Sequence, residues 1–450
     1  MTELLLPAGN LEKLSAASDF GADAVYAGLP RYSLRARNNE FRMDQIEQGI
    51  AMAHARDKQF YVTCNILPHN DKIRSFIRQL EPVVAMHPDA FIMADPGLIM
   101  MAREAWPDLA IHLSVQANTL NHAAVRFWEK VGVRRIILSR ELSLDEIKDI
   151  RQACPDMELE VFVHGALCIA YSGRCLLSGY FNRRDPNQGT CTNACRWDYK
   201  VHAADEDEHG DVQSLQGFDF HQELKSAESG SSTGITRHPA ADRIYLIEES
   251  QRPGELMPIE EDEHGTYIMN SRDLRAIEHV QKLVQIGVNS LKVEGRTKSL
   301  YYVARTAQAY RQAIDDAKAG REFDPNLLTA LKGLANRGYT SGFLERHPSQ
   351  AMQNYEQGNS QTGHSQYVGQ VLSIEDDWAV VDVKNHFAVK DTLEIIHPTG
   401  NDVFELNQMQ TMEGTPMEIA PGNGIRVRIP LSARFEGALI ARRLAVTVSP

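Results

Sequence analysis

No H-E-x-x-H, no G-x-x-x-x-G-K-[ST] and no G-x-G-x-x-G occurs anywhere in the sequence. Zinc protease of the common helical type, P-loop NTPase and Rossmann dehydrogenase therefore lose the residues their chemistry needs. The one string that fits a nucleophile elbow, GSSTG at Gly230–Gly234, lies in a Ser- and Gly-rich stretch rather than at a strand-to-helix turn. No apolar run approaches the length of a membrane span. The opening MTELLLPAGN carries an acidic residue and only a short apolar run, unlike a secretory signal, so a cytoplasmic, reducing setting is expected. Basic charge is also short: 47 Lys and Arg against 60 Asp and Glu give a formal net charge of −13. That deficit is local. Sixteen Asp and Glu against four Lys and Arg fall between Asp205 and Glu263, so the remaining surface is close to neutral and free to carry basic patches for a polyanion.

Cysteine is scarce and unevenly placed. Of six, Cys168, Cys175, Cys191 and Cys195 lie in HGALCIAYSGRCLLSGYFNRRDPNQGTCTNACRWDY, a C-x6-C-x15-C-x3-C pattern. In a reducing compartment such a group points to metal rather than disulfides. Four thiolates suit a zinc ion or an iron–sulfur cluster; structural zinc favours two tight knuckles and only the second pair is tight, which leans towards a cluster. Four independent buried thiols are the plain alternative. Cys64 and Cys154 have no neighbours of this kind and read as structural.

Eight short apolar runs alternate with helical patterns: ELLLPAG, DAVYAG, FYVTCNI, AFIMAD, IHLSVQA, RIILSR, LEVFVHG and SLKVEGR. Gly21, Gly132 and Gly287 each stand just before such a run, where a helix should end in a left-handed residue. Ser143-Leu-Asp-Glu146 is a capping box, and Val303, Ala307, Tyr310, Ile314 and Ala317 follow helical spacing. The expected fold is α/β, a (β/α)8 TIM-like barrel over residues 1–346, with an open doubly wound sheet as the alternative. The cysteine segment, 164–199, and an acidic, partly mobile insertion with little periodicity, 203–255, fall between strands seven and eight. A polar linker, 347–365, leads to residues 366–450. There AVVDV, TLEII and GIRVRIP read as strands of a small closed β-barrel.

A barrel places its chemistry at the carboxyl ends of its strands. Here those ends include Asn10, Gly28, Asn65, Asp95, Gln116, Asn118, Arg140, Glu141, His164, Glu294 and Arg296, although Asn and Asp at such places often only cap the next helix. After strand two, RYSLRARNNEF puts Arg31, Arg35 and Arg37 in one loop with Asn38. That suits a carboxylate or phosphate, or is simply a solvated basic turn. Arg183, Arg184, Arg296 and Lys298 add positive charge on the same expected face.

LLLPAGNLEKL, GADAVYAG, RYSLRARNNEF, LSVQAN, the cysteine segment, EDEHGTYIMNSRDL and SLKVEGRTKS together resemble the collagenase-like peptidase family U32, most closely its members that hydroxylate transfer RNA. Despite the family name, the resemblance implies an enzyme that hydroxylates the wobble uridine of certain transfer RNAs to 5-hydroxyuridine, with prephenate as co-substrate and without oxygen. It also implies a [4Fe-4S] cluster on Cys168, Cys175, Cys191 and Cys195. The anticodon loop would be the RNA partner, with Arg35, Arg37, Asn38, Gln116 and Arg296 expected to bind substrate. The resemblance assigns no acid, base or nucleophile; His164 and Glu294 are the candidates the strand ends offer. A collagenase-like peptidase and a cluster-bearing accessory protein acting on ribosomal RNA or a ubiquinone precursor are the alternatives.

Anaerobically purified protein is expected to be brown with about four irons per chain. Cys191→Ser or Cys195→Ser should remove most of the visible absorbance and Cys154→Ser none of it. A colourless protein holding one zinc would defeat the cluster.

Overall fold

The computed structural model describes residues 2–34, 41–167, 199–206, 212–214, 245–249, 256–259, 261–262, 265–266, 273–334, 336, 338–345 and 365–444. The first seven barrel strands are β1 Glu3–Pro7, β2 Ala24–Gly28, β3 Gln59–Cys64, β4 Ala90–Met93, β5 Ile111–Leu113, β6 Arg135–Ile137 and β7 Glu158–Ala166. Then come β8 Tyr199–Glu206, β9 Val212–Ser214, β10 Tyr245–Glu249, β11 Leu256–Ile259, β12 Glu261–Asp262, β13 Gly265–Thr266 and β14 Asp273–Arg275, before the eighth barrel strand, β15 Ser290–Val293. Neighbours pair in parallel from β15 through β1 to β7, and β15 also pairs with β7. The ring is closed, so the barrel holds over the open sheet.

Local sequence explains the joints. Gly21, Gly132 and Gly287 all adopt positive φ, and Gly287 is the left-handed residue ending helix Val280–Ile286. Asn10 accepts from Lys13 N at 2.9 Å and Asp95 from Leu98 N at 2.9 Å, so both are N-caps, of helices Leu11–Asp19 and Pro96–Ala105. The Ser143–Glu146 capping box forms as expected at the start of helix Leu144–Ala153.

Among the described residues of the insertion there are strands that its composition did not suggest. β8, β9, β10 and β11 form an antiparallel sheet in the order β11-β10-β8-β9, with Leu246 and Ile247 opposite His202 and Val201. Alternation in YKVHAADE and RIYLIEE was hidden among acidic neighbours. β14 runs antiparallel to the outer end of β7, pairing Arg275 with His164 and Asp273 with Ala166. β16, Tyr339–Thr340, extends the sheet beyond it.

The barrel interior is ionic. Glu3 accepts from Arg135 Nη1, Ser290 Oγ and Tyr61 Oη, each at 2.7 Å. Glu160, fully buried, accepts from Lys292 Nζ at 2.8 Å and Arg135 Nη1 at 3.3 Å, and Glu158 accepts from Arg135 Nε at 2.8 Å. Lys292 Nζ also lies 4.5 Å from the centre of the Tyr26 ring. Burial pulls the Lys292 amine below its ordinary range while Glu160 opposes the shift.

Past the barrel, β17 Ser365–Glu375, β18 Trp378–Val383, β19 Phe387–Ala388, β20 Thr392–Ile396, β21 Asp402–Glu405, β22 Ile419–Ala420, β23 Arg426–Pro430 and β24 Leu439–Arg443 follow. Six of them make a curled antiparallel sheet, β21-β20-β24-β17-β18-β23, around Val381, Leu393, Val427 and Ile440. The curl stops short of the closed ring expected: among the described residues β21 and β23 share no ladder. Two backbone hydrogen bonds join Arg428 of β23 to Gln410 instead. In β23 Val427 and Ile429 are buried while Arg426 is exposed, as alternation required.

Helix α1, here Leu300–Lys318, fastens this sheet to the barrel. Tyr301 stacks on Tyr367 with ring centres 5.5 Å apart and hydrogen-bonds Ser365 at 3.0 Å; Arg305 and Glu394 pair at 2.9 Å, both buried. Arg305→Leu is expected to destabilise the protein by about 3 kcal/mol, because it leaves the buried Glu394 carboxylate with only the more exposed Arg443, 3.7 Å away, as a cationic partner. Pairing it with Glu394→Leu should recover much of the loss, as read from urea unfolding midpoints. Equal losses in the single and double variants would contradict this.

Candidate active site at the barrel mouth

Leu34 is the last described residue before the arginine loop, and both its backbone groups are held by strand-end side chains. Its N–H donates to Asn65 Oδ1 at 3.1 Å, and its carbonyl accepts from Arg296 Nη2. Asn65 in turn donates to Gln116 Oε1 at 3.0 Å and Ser114 Oγ at 3.3 Å. Gln116 and Arg296, far apart in sequence, therefore act on the same backbone. A side chain at Gly28 would place its Cβ 2.2 Å from Arg296 Nη1 and 2.5 Å from Ser33 Oγ, so the glycine makes room for the guanidinium. Arg35, Arg37 and Asn38 themselves lie outside the described residues.

The base of the cysteine segment is held in the same manner. Ala166 N donates to Glu294 Oε2 at 3.3 Å, and Ala166 O accepts from Arg140 Nη1 at 2.7 Å. Glu294 N donates to the carbonyl of His164 at 2.9 Å, and Glu294 O accepts from Tyr302 Oη at 2.7 Å. Cys168, Cys175, Cys191 and Cys195 lie outside the described residues, as do Arg183 and Arg184. Cys64 and Cys154 are buried and free; burial pushes the Cys64 thiol well up, which makes it inert. Glu141 accepts from Ser139 Oγ.

His164 follows a register shift between β7 and β15 and packs against α1 and β16. The Tyr302, Tyr310 and Tyr339 ring centres lie 5.5–5.7 Å from its own. Tyr310 Oη donates to Val163 O at 2.7 Å, so it accepts from His164 Nδ1–H at 3.3 Å, which leaves Nε2 as a buried acceptor without a partner. Burial, helped by the Lys298 and Arg275 charges, lowers the His164 pKa to about 3. His164 and Glu294 are thus neighbours through backbone, with the imidazole enclosed by tyrosines.

Sequence reasoning passed over the charged residues inside the strands, Arg135, Glu160 and Lys292. The signal was present: an acid in LEVFVHG and a lysine in SLKVEGR interrupt runs that should be apolar. The tyrosine enclosure had no comparable signal, because its members come from β16 and one helix.

Comparison with known proteins decides the family. The profile described as Peptidase family U32 matches residues 9–354, and that of the Peptidase family U32 C-terminal domain matches 364–442. The chain belongs to peptidase family U32. Among U32 relatives, an Escherichia coli K12 protein named tRNA hydroxylation protein P is 56% identical over 435 residues, 96% of this chain and 94% of the relative. The Haemophilus influenzae protein of the same name is 52% identical over 449 residues, 99% and 97% of the two chains. A solved U32 peptidase, Mk0906, covers 66% of this chain and 93% of its own at 13% identity and a TM-score of 0.37.

In this U32 chain His164 and His112 are both held neutral by burial, His112 also by the charges of Arg135 and Lys292. Unfolded histidines take up protons below about pH 6.5 while these two do not, so the contribution is fully present above that pH and is lost progressively below it, down to about pH 3 for His164. Each should contribute a slope of about 1.4 kcal/mol per pH unit. Urea midpoints between pH 7 and pH 5 should show a shallower decline in His164→Gln than in the parent; equal slopes would contradict the assignment.

Proposed function

We propose that this chain is a transfer RNA hydroxylase that converts the wobble uridine of certain transfer RNAs to 5-hydroxyuridine, with prephenate as co-substrate and without oxygen. The observation that carries the reading is end-to-end similarity to relatives named for tRNA hydroxylation, 56% and 52% identical over nearly the full chain. The barrel mouth supports it physically. Two segments with the needed chemistry, one rich in arginine and one in cysteine, leave the mouth from neighbouring, firmly held backbone at Leu34 and Ala166.

The donor set suits the implied cofactor: four thiols fall within one short segment that begins just after Ala166, and the other two cysteines, Cys64 and Cys154, are buried and free. Cys168, Cys175, Cys191 and Cys195 would hold a [4Fe-4S] cluster, which supplies reversible one-electron redox capacity when bound. Arg35 and Arg37 would clamp carboxylate, while Asn65, Gln116 and Arg296 set where that loop begins. A single-stranded anticodon loop presents unstacked bases that a concave mouth can admit. Outside Asp205–Glu263 the chain is close to neutral, so the net acidity does not by itself exclude RNA from the basic loops. Among the described residues no helix is long and apolar enough to cross a membrane, which accords with a cytoplasmic setting.

Mass spectrometry of transfer RNA nucleosides from cells with and without the protein is the test: 5-hydroxyuridine and its derivatives should disappear without it. Unchanged nucleosides together with cleavage of gelatin by the purified protein would return the chain to the peptidase reading. In the purified system, Arg35→Ala or Arg37→Ala should raise the prephenate concentration needed roughly ten- to a hundredfold, from a lost charge-assisted bond of about 1.5–3 kcal/mol. A loss of RNA affinity with a flattened salt dependence would instead assign those arginines to phosphates.

A further inference from the structure

The chain leaves β2 through a turn, Leu29 to Tyr32, whose two ends are fixed by other parts of the barrel. Leu29 N donates to Thr63 O at 3.0 Å, and the Tyr32 carbonyl accepts from Ile66 N at 3.1 Å. The Tyr32 ring is buried with its centre 5.4 Å from that of Phe76, and its hydroxyl donates to Lys72 O at 3.0 Å. Between these anchors Tyr32 N donates to Leu29 O at 3.3 Å, which closes a turn with Pro30 at its first corner and Arg31 at its second. Arg31 has a φ of +70°. Proline followed by a left-handed residue is the arrangement of a type II turn, whose second corner favours glycine or asparagine.

Arginine in that place holds a backbone conformation that its Cβ disfavours. The other described non-glycine residues with positive φ are aspartate, asparagine or histidine, which tolerate it, and Lys390, whose ammonium is taken by Glu405 and Asn407. Arg31 is different. It is exposed, and among the described residues no hydrogen bond, ion pair or ring contact engages its side chain. The turn therefore bears strain to present a guanidinium that does nothing for the fold, and strain of this kind collects where ligands bind. Arg31 also lies between Gly28, which abuts Arg296, and Leu34, which Asn65 and Arg296 hold, so it stands at the rim of the barrel mouth.

A guanidinium without a carboxylate partner suits an anion, and its exposure indicates which kind. Small acids are held by enclosing side chains, whereas the phosphates of a nucleic acid pass along the rim of a concave site and are met by exposed cations. We propose that Arg31 contacts a backbone phosphate of the transfer RNA at the rim of the mouth, and that the strained turn serves to present it there. The assignment rests on the reading that transfer RNA is the substrate, and it gives Arg31 a partner different from the carboxylate assigned to Arg35 and Arg37.

The experiment is transfer RNA binding over a range of salt concentrations by the anaerobic, cluster-loaded parent, Arg31→Gly, Arg31→Asn and Arg31→Lys, with urea midpoints and the prephenate requirement measured beside it. Arg31→Gly and Arg31→Asn suit the turn, so the urea midpoint should be unchanged or higher. Transfer RNA binding should nevertheless weaken severalfold, and the plot of log affinity against log salt should become shallower by about one. Arg31→Lys should keep most of the affinity, because an ammonium serves a phosphate as a point charge. The prephenate requirement should not move. Unchanged RNA affinity and salt slope in both the glycine and asparagine variants would overturn the proposal. So would a raised prephenate requirement with RNA binding intact, which would place Arg31 on a carboxylate. A lower urea midpoint in both variants would overturn it too, since the residue would then be structural. A parent that binds and hydroxylates transfer RNA without regard to Arg31 would defeat this contact alone, whereas a parent that neither binds nor modifies transfer RNA would defeat the hydroxylase reading with it.

Discussion

Closure of the barrel depends on Arg135. Its guanidinium reaches three carboxylates, on β1 and at two places on β7, and thereby ties strands that only meet because the sheet has come full circle. Lys292 completes the set from the eighth strand. Charges taken out of water cost several kcal/mol each unless geometry and further hydrogen bonds repay it, and here Tyr61, Ser290 and Glu158 supply those bonds. An apolar filling would tolerate slippage between strands. An ionic one does not, because a shift of one residue would leave a buried carboxylate alone. The positions of the strand ends, and hence of everything at the mouth, are fixed by this requirement.

Above that layer the mouth is organised as two anchored exits. Leu34 and Ala166 are each gripped at N–H and carbonyl by side chains from other strands: Asn65 and Arg296 for the first, Glu294 and Arg140 for the second. Strand eight contributes to both exits through residues two apart, Glu294 and Arg296, so a disturbance there reaches both segments at once. The intervening Gly295 has φ of +145° and lies against Tyr302, a geometry that no larger residue would adopt easily.

Most of the scaffold could be read from residue order. Strand runs such as AVYAG and AFIMA are apolar throughout, as parallel strands covered on both faces tend to be, and glycine before a strand marked the helix ends. The small curled domain was legible from alternation in GIRVRIP. What resisted was anything that needed two distant residues to meet. Gln116 and Arg296 were suspected from their places at strand ends, but their common target, the Leu34 backbone, has no mark in sequence. Asn10 and Asp95, for which strand-end position left both a functional and a capping role open, cap the helices that follow them. His164 was chosen for its strand end, and a shift in register together with three tyrosines gives it an interior environment that composition does not encode. The strands β8 and β10 were masked by the acidic residues around them.

The latch on helix α1 carries a consequence for how the chain can be divided. Tyr301 and Arg305 lie in the first two turns of the helix that follows Arg296, and their partners Tyr367, Ser365 and Glu394 belong to the curled sheet, while Ile396, Leu439 and Ala441 join the barrel's own core. The boundary between the two family profiles is therefore not a boundary of cohesion. A barrel cut free at that boundary would carry an unpaired arginine and a bare tyrosine face immediately behind the loop that carries Arg296. The curled sheet is in this sense the outer wall of the active site's last helix, and the two parts rise and fall as one cooperative unit.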